Sequence, residues 1–546
     1  MANFTAKILG NSVSAMTAQQ ALLANSSNNI ANVNTPGYTR REISIETRGD
    51  PATVDGILRV GSGVQLGSVQ RITNEFLEKS LRNAVAKQGQ ATVKNEYLTR
   101  IEGLFSLSSD QMTVGYAFNN FFSAVNQLGI DPSNLDLRLD VLERGQDLVS
   151  TIKGAFSEIA DAQAELNYRV AQEVSQINAY SRELATLNTL VVQREAVGVP
   201  ATDERDQRDV ILAKLSEKIS FTATEQPSGV INCLLSNGFP LVSDGTSRSL
   251  SVTTQPSFAS GPLPPSLRDE VLSYVVYNFG TETNPSHLDL TKVIKDGEGS
   301  LAGTIQARGY ADVSNTSAYE ADGELVQMAA RIEAMTRTLL TEVNKIYRGA
   351  DEDTSTPAFE PSSADLNGNS PGVFGLFDFD FTGLKDADGD GIPSLADLAA
   401  TGMDTFSRFI TLGFSKPEEF AAARDVDSDP VSTVFNVGNG ENAAAIAALR
   451  NKNFNFDLGP LSFTGTFDEL YNSAVSTIGS LTFSSKSALQ VAQDAYVVAS
   501  TKRDEFSSVS LDEEFANVIK YQKAFQASAK MIRTASDLID TIVGLI

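Results

Sequence analysis

Apolar residues recur every seventh position at both ends of this chain. Toward the C-terminus Leu511, Val518, Phe525, Ile532, Ile539 and Ile546 keep that interval, and near the N-terminus Ile8, Ala15 and Leu22 do the same. Such a row forms a stripe along one side of an α-helix, and the stripe is buried against another helix. Chain ends are usually the frayed part of a domain. Here both are patterned for packing, so the termini are expected to come together and to join something larger.

Between these ends the pattern changes several times. The first helix is predicted from about Asn3 to Ser26 and stops in Asn28-Asn29-Ile30-Ala31-Asn32-Val33-Asn34-Thr35-Pro36-Gly37-Tyr38, where Asn, Pro and Gly favour turns. Alternating stretches at Arg41–Thr47 and Val64–Ile72 read as hairpin strands, and a second helix runs from Asn74 to about Phe105. The longest regular segment covers about Leu148 to Arg194. One heptad row is Val149, Phe156, Gln163, Val170, Ile177, Leu184 and Val191; the other is Ile152, Ile159, Leu166, Glu173, Tyr180 and Leu187. Only Gln163 and Glu173 break the apolar pattern, so a coiled-coil stalk of roughly 65–70 Å is expected. Two bundle helices broken near Gly154 are the alternative.

From Phe221 to about Ile305 short β-prone runs (Val230–Leu235, Ser249–Thr253, Val271–Phe279) alternate with Gly, Pro and Ser turns. Helix returns at about Tyr319–Tyr347. The stretch from Gly349 to Gly440 is acidic and punctuated by Gly and Pro, with a short helix expected at Pro417–Arg424. Helix resumes from Thr466 to Glu505, and the last helix starts at Ser510, where Ser510 and Glu513 have capping-box spacing. The fold class is therefore multidomain and mainly α-helical with a β insertion. N- and C-terminal helices form a coiled-coil core and stalk, and a small β domain and an irregular variable domain are inserted at the distal end. The expected division is a terminal assembly domain (1–46 with 508–546), a helical stalk (47–220 with 300–350 and 440–507), a β-rich domain (221–299) and a variable insertion (351–439).

Composition narrows the partners. The 43 basic and 68 acidic residues leave a net charge of −25, which repels phosphate backbones and anionic lipid, so neither nucleic-acid binding nor membrane insertion is expected. Cys233 is the single cysteine, so no intrachain disulfide forms. Neither a transmembrane run nor a secretory signal is evident, and export would need a route that leaves the N-terminus intact.

The Asn28–Tyr38 segment resembles the N-terminal signature of bacterial flagellar rod, hook and hook-associated proteins. Leu511-Asp512-Glu513-Glu514, followed by Ile519-Lys520-Tyr521-Gln522-Lys523-Ala524-Phe525, is similar to the C-terminal signature of a hook-associated branch of that family. Internal matches are Asp206-Gln207-Arg208-Asp209, Gly299-x-Leu301-x-Gly303 ending at Arg308, Val343-Asn344 and Gly440-Glu441-Asn442. The pattern departs at Ser508-Val509-Ser510, where Gly-Val-Asn is usual, and the likeness fades over 349–440. The resemblance implies a structural adaptor between hook and filament, exported unfolded through the flagellar channel and held beforehand by a cytoplasmic export chaperone. It implies a ring of copies, with hook protein on one side and a second hook-associated protein or the filament on the other. Ile8, Ala15, Leu22, Leu511, Val518, Phe525, Ile532 and Ile539 are the expected assembly interface. Asn28, Asn29, Asn32, Asn34, Thr35, Pro36, Gly37 and Tyr38 form the family turn motif, fixing how the terminal helix hands over to the stalk. Rival readings are a hook or distal-rod subunit, and an adhesin or glycan-binding module on an axial scaffold.

Catalytic chemistry is not expected. His287, the single histidine, sits in a Pro-Ser-His turn with no motif beside it, and Cys233 reads as a buried small apolar residue. No cofactor is required. One stretch, Asp386-Ala387-Asp388-Gly389-Asp390-Gly391-Ile392-Pro393-Ser394-Leu395-Ala396-Asp397, has calcium-loop spacing, with Asp386, Asp388, Asp390 and Asp397 as the ligand set. Asp at position twelve, Pro393 at position eight and the lack of a second loop weaken the match. A solvated acidic turn is the preferred reading there.

Overall fold

The computed structural model describes residues 2–48, 61–105, 113–254, 272–279, 286–310, 323–348, 363–369, 371, 375–379, 406–424, 436, 438–457 and 462–543. The acidic loop at 386–397 lies outside them. The helices are α1 (Ala2–Ala31), α2 (Glu75–Phe105), α3 (Val114–Ile130), α4 (Leu135–Ala196), α5 (Thr202–Lys218) and α6 (Thr291–Lys295). They continue as α7 (Ser300–Arg308), α8 (Glu324–Arg348), α9 (Phe406–Phe409), α10 (Glu441–Ala448), α11 (Phe467–Ser507) and α12 (Leu511–Val543). The main strands are β1 (Arg41–Thr47), β2 (Val64–Arg71), β3 (Phe221–Glu225), β4 (Ile231–Leu235), β5 (Pro240–Ser243), β6 (Thr246–Ser247), β7 (Leu250–Thr253), β8 (Tyr274–Asn278) and β9 (His287–Asp289).

The chain divides into two compact units. One comprises residues 1–88, 176–249 and 491–546; the other comprises 89–175 and 250–490. In the first, β1 and β2 form an antiparallel hairpin, and β3, β4, β5 and β6 form a four-stranded antiparallel sheet in that order. Asn188 of α4 clips this sheet, donating to the carbonyls of Ile231 and Asp244 while accepting from the Ile231 N–H. Cys233 is fully buried in β4, and burial pushes its thiol up to about 12.

The second unit holds a large aromatic and aliphatic core. Phe118, Phe122, Phe454, Phe456 and Phe467 interlock with ring centroids 4.6 to 6.3 Å apart. Strands β7, β8 and β9 form a three-stranded sheet, and exposed His287 meets Asn278 through Nδ1 at 2.7 Å.

The heptad reading of α4 holds. Every residue of the two rows from Val149 to Val191 is buried except half-buried Tyr180. The helix begins at Leu135, earlier than periodicity suggested, and runs unbroken through Gly154. A helical glycine costs about 1 kcal/mol against alanine, little beside the buried stripes. The two polar exceptions meet α7. Gln163 donates to the Arg308 carbonyl at 2.9 Å, and Glu173 accepts from Thr304 and Arg169, both at 3.3 Å.

Two local expectations differ from the structure. Helix α1 does not stop at Ser26 but carries Asn28 and Asn29 as helical residues. Residues 417–424 are not helical throughout: a 3-10 turn at Pro417–Glu419 gives way to an extended pair, Ala423–Arg424, that pairs with Ser363–Ala364. Glu419 closes that turn by accepting the Ser415 and Lys416 N–H groups, which removes the need for a longer helix.

Candidate assembly site at the joined chain ends

Within the first unit α1 and α12 lie against each other, and α1 is the element that α12 packs on most extensively. They run antiparallel: Asn29, near the end of α1, bonds Glu514, near the start of α12. Val518, Phe525, Ile532 and Ile539 are half-buried, as are Ile8 and Ala15, while Leu22 is buried. Leu511 stays exposed.

The Asn-rich motif performs three jobs. Asn28, Asn32 and Thr35 close the helix end locally: Asn32 Nδ2 donates to the Asn28 carbonyl and Oδ1, and the Thr35 hydroxyl donates to Asn32 Oδ1. Asn34, Thr35 and Pro36 are exposed on the turn that follows. Gly37 has φ +81°, and a Cβ there would run into Val210 of α5, so the bend needs glycine twice over. Asn29 and Tyr38 face inward. Asn29 Nδ2 donates to the Arg41 carbonyl (3.0 Å) and Glu514 Oε1 (2.9 Å), and its Oδ1 accepts from the Tyr38 hydroxyl (2.8 Å) and the Arg41 N–H (3.2 Å). All four bonds available to an amide side chain are made, and Asn29 is fully buried.

The following strap ties three further parts together. The Arg40 N–H donates to the Ser507 carbonyl at the end of α11, and Arg40 Nη1 meets Glu513 at 2.7 Å. That contact takes the Glu513 carboxylate from its expected capping role; the remaining half, Glu513 N–H to Ser510 Oγ, is a long 3.5 Å. Arg41 bonds Asp203 at 2.5 Å and Asp206 at 3.1 Å, and its guanidinium stacks on Tyr38 at 4.8 Å. Burial is the main force raising the Tyr38 hydroxyl pKa. Arg71 of β2 bonds Asp206 at 2.7 Å and also pairs with Asp209. Arg208, buried between these acids, donates to the Gly229 carbonyl at 2.6 Å. The Asp206–Asp209 segment thus holds hairpin, helix and sheet turn together.

Arg41, Arg71 and Asp203 carried no mark in the sequence reading. Their signal was an acidic first turn on α5, where Asp203 and Glu204 suit the helix dipole. The hairpin also seats on α1. Asn11 donates to the Gly61 carbonyl, Asn25 to the Arg41 carbonyl, and the Val64 N–H donates to Ser14 Oγ. A cavity of about 290 Å³ lies among α1, β1 and α12, lined in part by Leu22, Arg40, Ile43, Glu514 and Tyr521. Among the described residues no cluster of His, Cys, Asp and Glu has metal-binding geometry, and no helix is long and apolar enough to cross a membrane.

Comparisons with known proteins converge on this arrangement. Residues 98–356 match the model of the flagellar hook-associated protein FlgK helical domain. Residues 501–545 match that of the flagellar basal body rod FlgEFG protein C-terminal region, and 9–39 that of flagella basal body rod protein. The two terminal matches are the segments that Asn29 and Glu514 join. Over 98% of its length the chain is 24% identical to flagellar hook-associated protein 1 of Salmonella typhimurium, covering 99% of that protein. It is 25% identical to the Bacillus subtilis protein of the same name, over 97% of this chain and 96% of that one. A solved structure, the flagellar hook junction protein FlgK from Burkholderia pseudomallei, shares the fold with a TM-score of 0.57 at 14% identity. That likeness covers 79% of this chain and 100% of the other.

Proposed function

We propose that the chain is a bacterial flagellar axial protein of the hook-associated protein 1 branch, and that it is a structural adaptor that polymerises where hook meets filament. The observation that carries the reading is the clasp of Asn29, Arg40, Glu513 and Glu514, which brings together the N- and C-terminal signatures of an axial protein. Its place of work is outside the cell, on the flagellum, reached through the flagellar export route.

The assembled form is a ring of copies, with hook protein on one side and a second hook-associated protein or the filament on the other. A cytoplasmic chaperone holds the chain before export. Residues Ile8 to Leu22 and Leu511 to Ile539 of the two stripes are the assembly surface in this reading. Phe515 and Ile519 extend it: with Leu511 they form an i, i+4, i+8 row on α12, about 53%, 59% and 41% exposed respectively. Exposed apolar rows of this kind mark surfaces meant to be covered. The role needs no catalysis and no cofactor.

Deleting the gene tests the proposal. Cells should build hooks of normal length yet shed filament subunits into the medium. Normal filaments would overturn the reading, and loss of the hooks themselves would favour a hook or distal-rod subunit.

A further inference from the structure

The heptad row of α1 has a fourth member. Ile8, Ala15 and Leu22 are followed seven residues later by Asn29, a buried amide where the pattern calls for an apolar residue. Its partner Glu514 likewise opens a row on α12 that continues through half-buried Tyr521 and Ser528 to Ala535, with Glu514 and Ala535 buried. We propose that the Asn29–Glu514 pair sets the register of the α1–α12 helix pair, excluding alignments shifted by one heptad.

The stripes alone do not fix that register. Leu511, Val518, Phe525, Ile532 and Ile539 are all apolar, so sliding α12 by seven residues puts one aliphatic or aromatic side chain where another stood. A heptad seam is degenerate in this way, and a single buried polar pair removes the degeneracy. Here the shifted alignments bring Tyr521 or Ser507 opposite Asn29. Glu514, only 2% exposed, then loses the Asn29 amide and the nearby Arg40 guanidinium, whose Nε lies 3.5 Å away. Asn29 loses one of its two donor partners. Buried polar groups left without partners are strongly unfavourable. The strap reinforces the choice, because Arg40 also bonds Ser507 and Glu513 on either side of the α11–α12 turn.

The inference concerns the folded chain and stands apart from where it works. It is tested on the full-length purified protein with introduced cysteines and a short thiol-specific cross-linker. Cys233 stays as the buried native thiol, and the chain without added cysteines serves as control. Leu22→Cys with Ala524→Cys reports the observed register, since both positions line the same cavity. Leu22→Cys with Met531→Cys reports the alignment one heptad away.

In the natural background only the first pair should link. In the Asn29→Leu/Glu514→Leu background, which extends both apolar rows and keeps the helices, the 22–531 link should rise to a share comparable with 22–524. The exchange Asn29→Asp/Glu514→Gln should restore the single link. In that chain the carboxylate at position 29 still accepts from Tyr38 and the Arg41 N–H, and the amide at position 514 donates to it. Asn25 keeps the Arg41 carbonyl bonded at 2.7 Å. A single 22–524 link in the double-leucine chain, with helix content unchanged by circular dichroism, overturns the proposal. So does an exchanged chain that links in both registers.

Discussion

Glu333 shows how much one side chain decides. Its carboxylate accepts the N–H groups of Phe406 (2.6 Å) and Ser407 (3.0 Å), tying α8 to the segment that begins α9. Burial pushes the carboxyl up to about 7, against the pull of the Ser407 and Phe406 N–H groups and of Arg337. The folded form therefore holds a proton that the unfolded chain releases near 4.5, so this contribution is full below that pH and is lost as pH rises through 7. The second unit should melt at higher temperature at pH 5 than at pH 8, by up to about 3 kcal/mol from this group. Glu333→Gln should flatten that difference in calorimetric scans across the range. Arg308 poses the opposite problem. It is fully buried and donates to Asn167 Oδ1 (2.7 Å), the Ser273 carbonyl (2.9 Å) and the Gly309 carbonyl (3.3 Å), and burial lowers its pKa to about 10. Arg308→Ala strands those acceptors and opens a void, and should cost roughly 3 kcal/mol or more in thermal unfolding of the same unit. The sequence flagged Arg308 only as the end of a motif. Apart from the adjacent Gly309 carbonyl, its partners are Asn167 of α4 and Ser273, beside β8, more than thirty residues away, and no local pattern points to them.

At the scale of elements, periodicity served best where one face is buried and regular. The α4 rows were legible because one rule governs their buried face. The β1–β2 hairpin was legible only from its alternating sequence, since Ile45 and Leu66 stay exposed, and the start of α12 only from the position of Ser510. The stretches at 417–424 and at the end of α1 were not, because side-chain hydrogen bonds there outweigh propensity. Motifs known only by resemblance now have physical reasons. Gly299 has φ +109°, Leu301 is fully buried, and a Cβ on Gly303 would sit 2.7 Å from the Gln90 carbonyl oxygen. Asn344 pairs with both the N–H and the carbonyl of Phe377, and Asn442 donates to the Ala421 carbonyl. Gly303→Ala should therefore push α7 from α2 and cost about 1–3 kcal/mol, read as a lower melting temperature. The terminal pair answers differently. Phe525→Asp places a charge in the half-buried face that α12 turns to α1. It should open that pair at a cost of several kcal/mol while the aromatic core of the second unit stays intact. Hydrogen exchange should rise across 2–31 and 511–543 and stay low around Phe118 and Phe467, and junction assembly should fail. Unchanged exchange at the ends would mean that the stripe does not hold the two helices together.

For the whole molecule, the acidic loop at 386–397 is a separate question, since it lies outside the described residues. If Asp386, Asp388, Asp390 and Asp397 hold Ca²⁺, the full-length chain should melt higher in millimolar calcium than in chelator. The gain is about 2.7 kcal/mol at a hundredfold excess over the dissociation constant. Asp390→Ala should abolish the difference and leave hook–filament joining unaffected; identical melting curves return the loop to a solvated acidic turn. The overall plan was legible from the ends inward, because both stripes and both signatures are local features. What the sequence did not display was that they meet through one amide and one carboxylate 485 residues apart. That separation has a consequence in time. Closing so long a loop carries an entropic cost before any contact rewards it, and Glu514 is made 485 residues after Asn29. The N-terminal helix must wait for α12, the helix it packs on, to be made. A product that terminates before residue 514 has no carboxylate to receive Asn29, so the clasp shuts only on a chain that has passed that point.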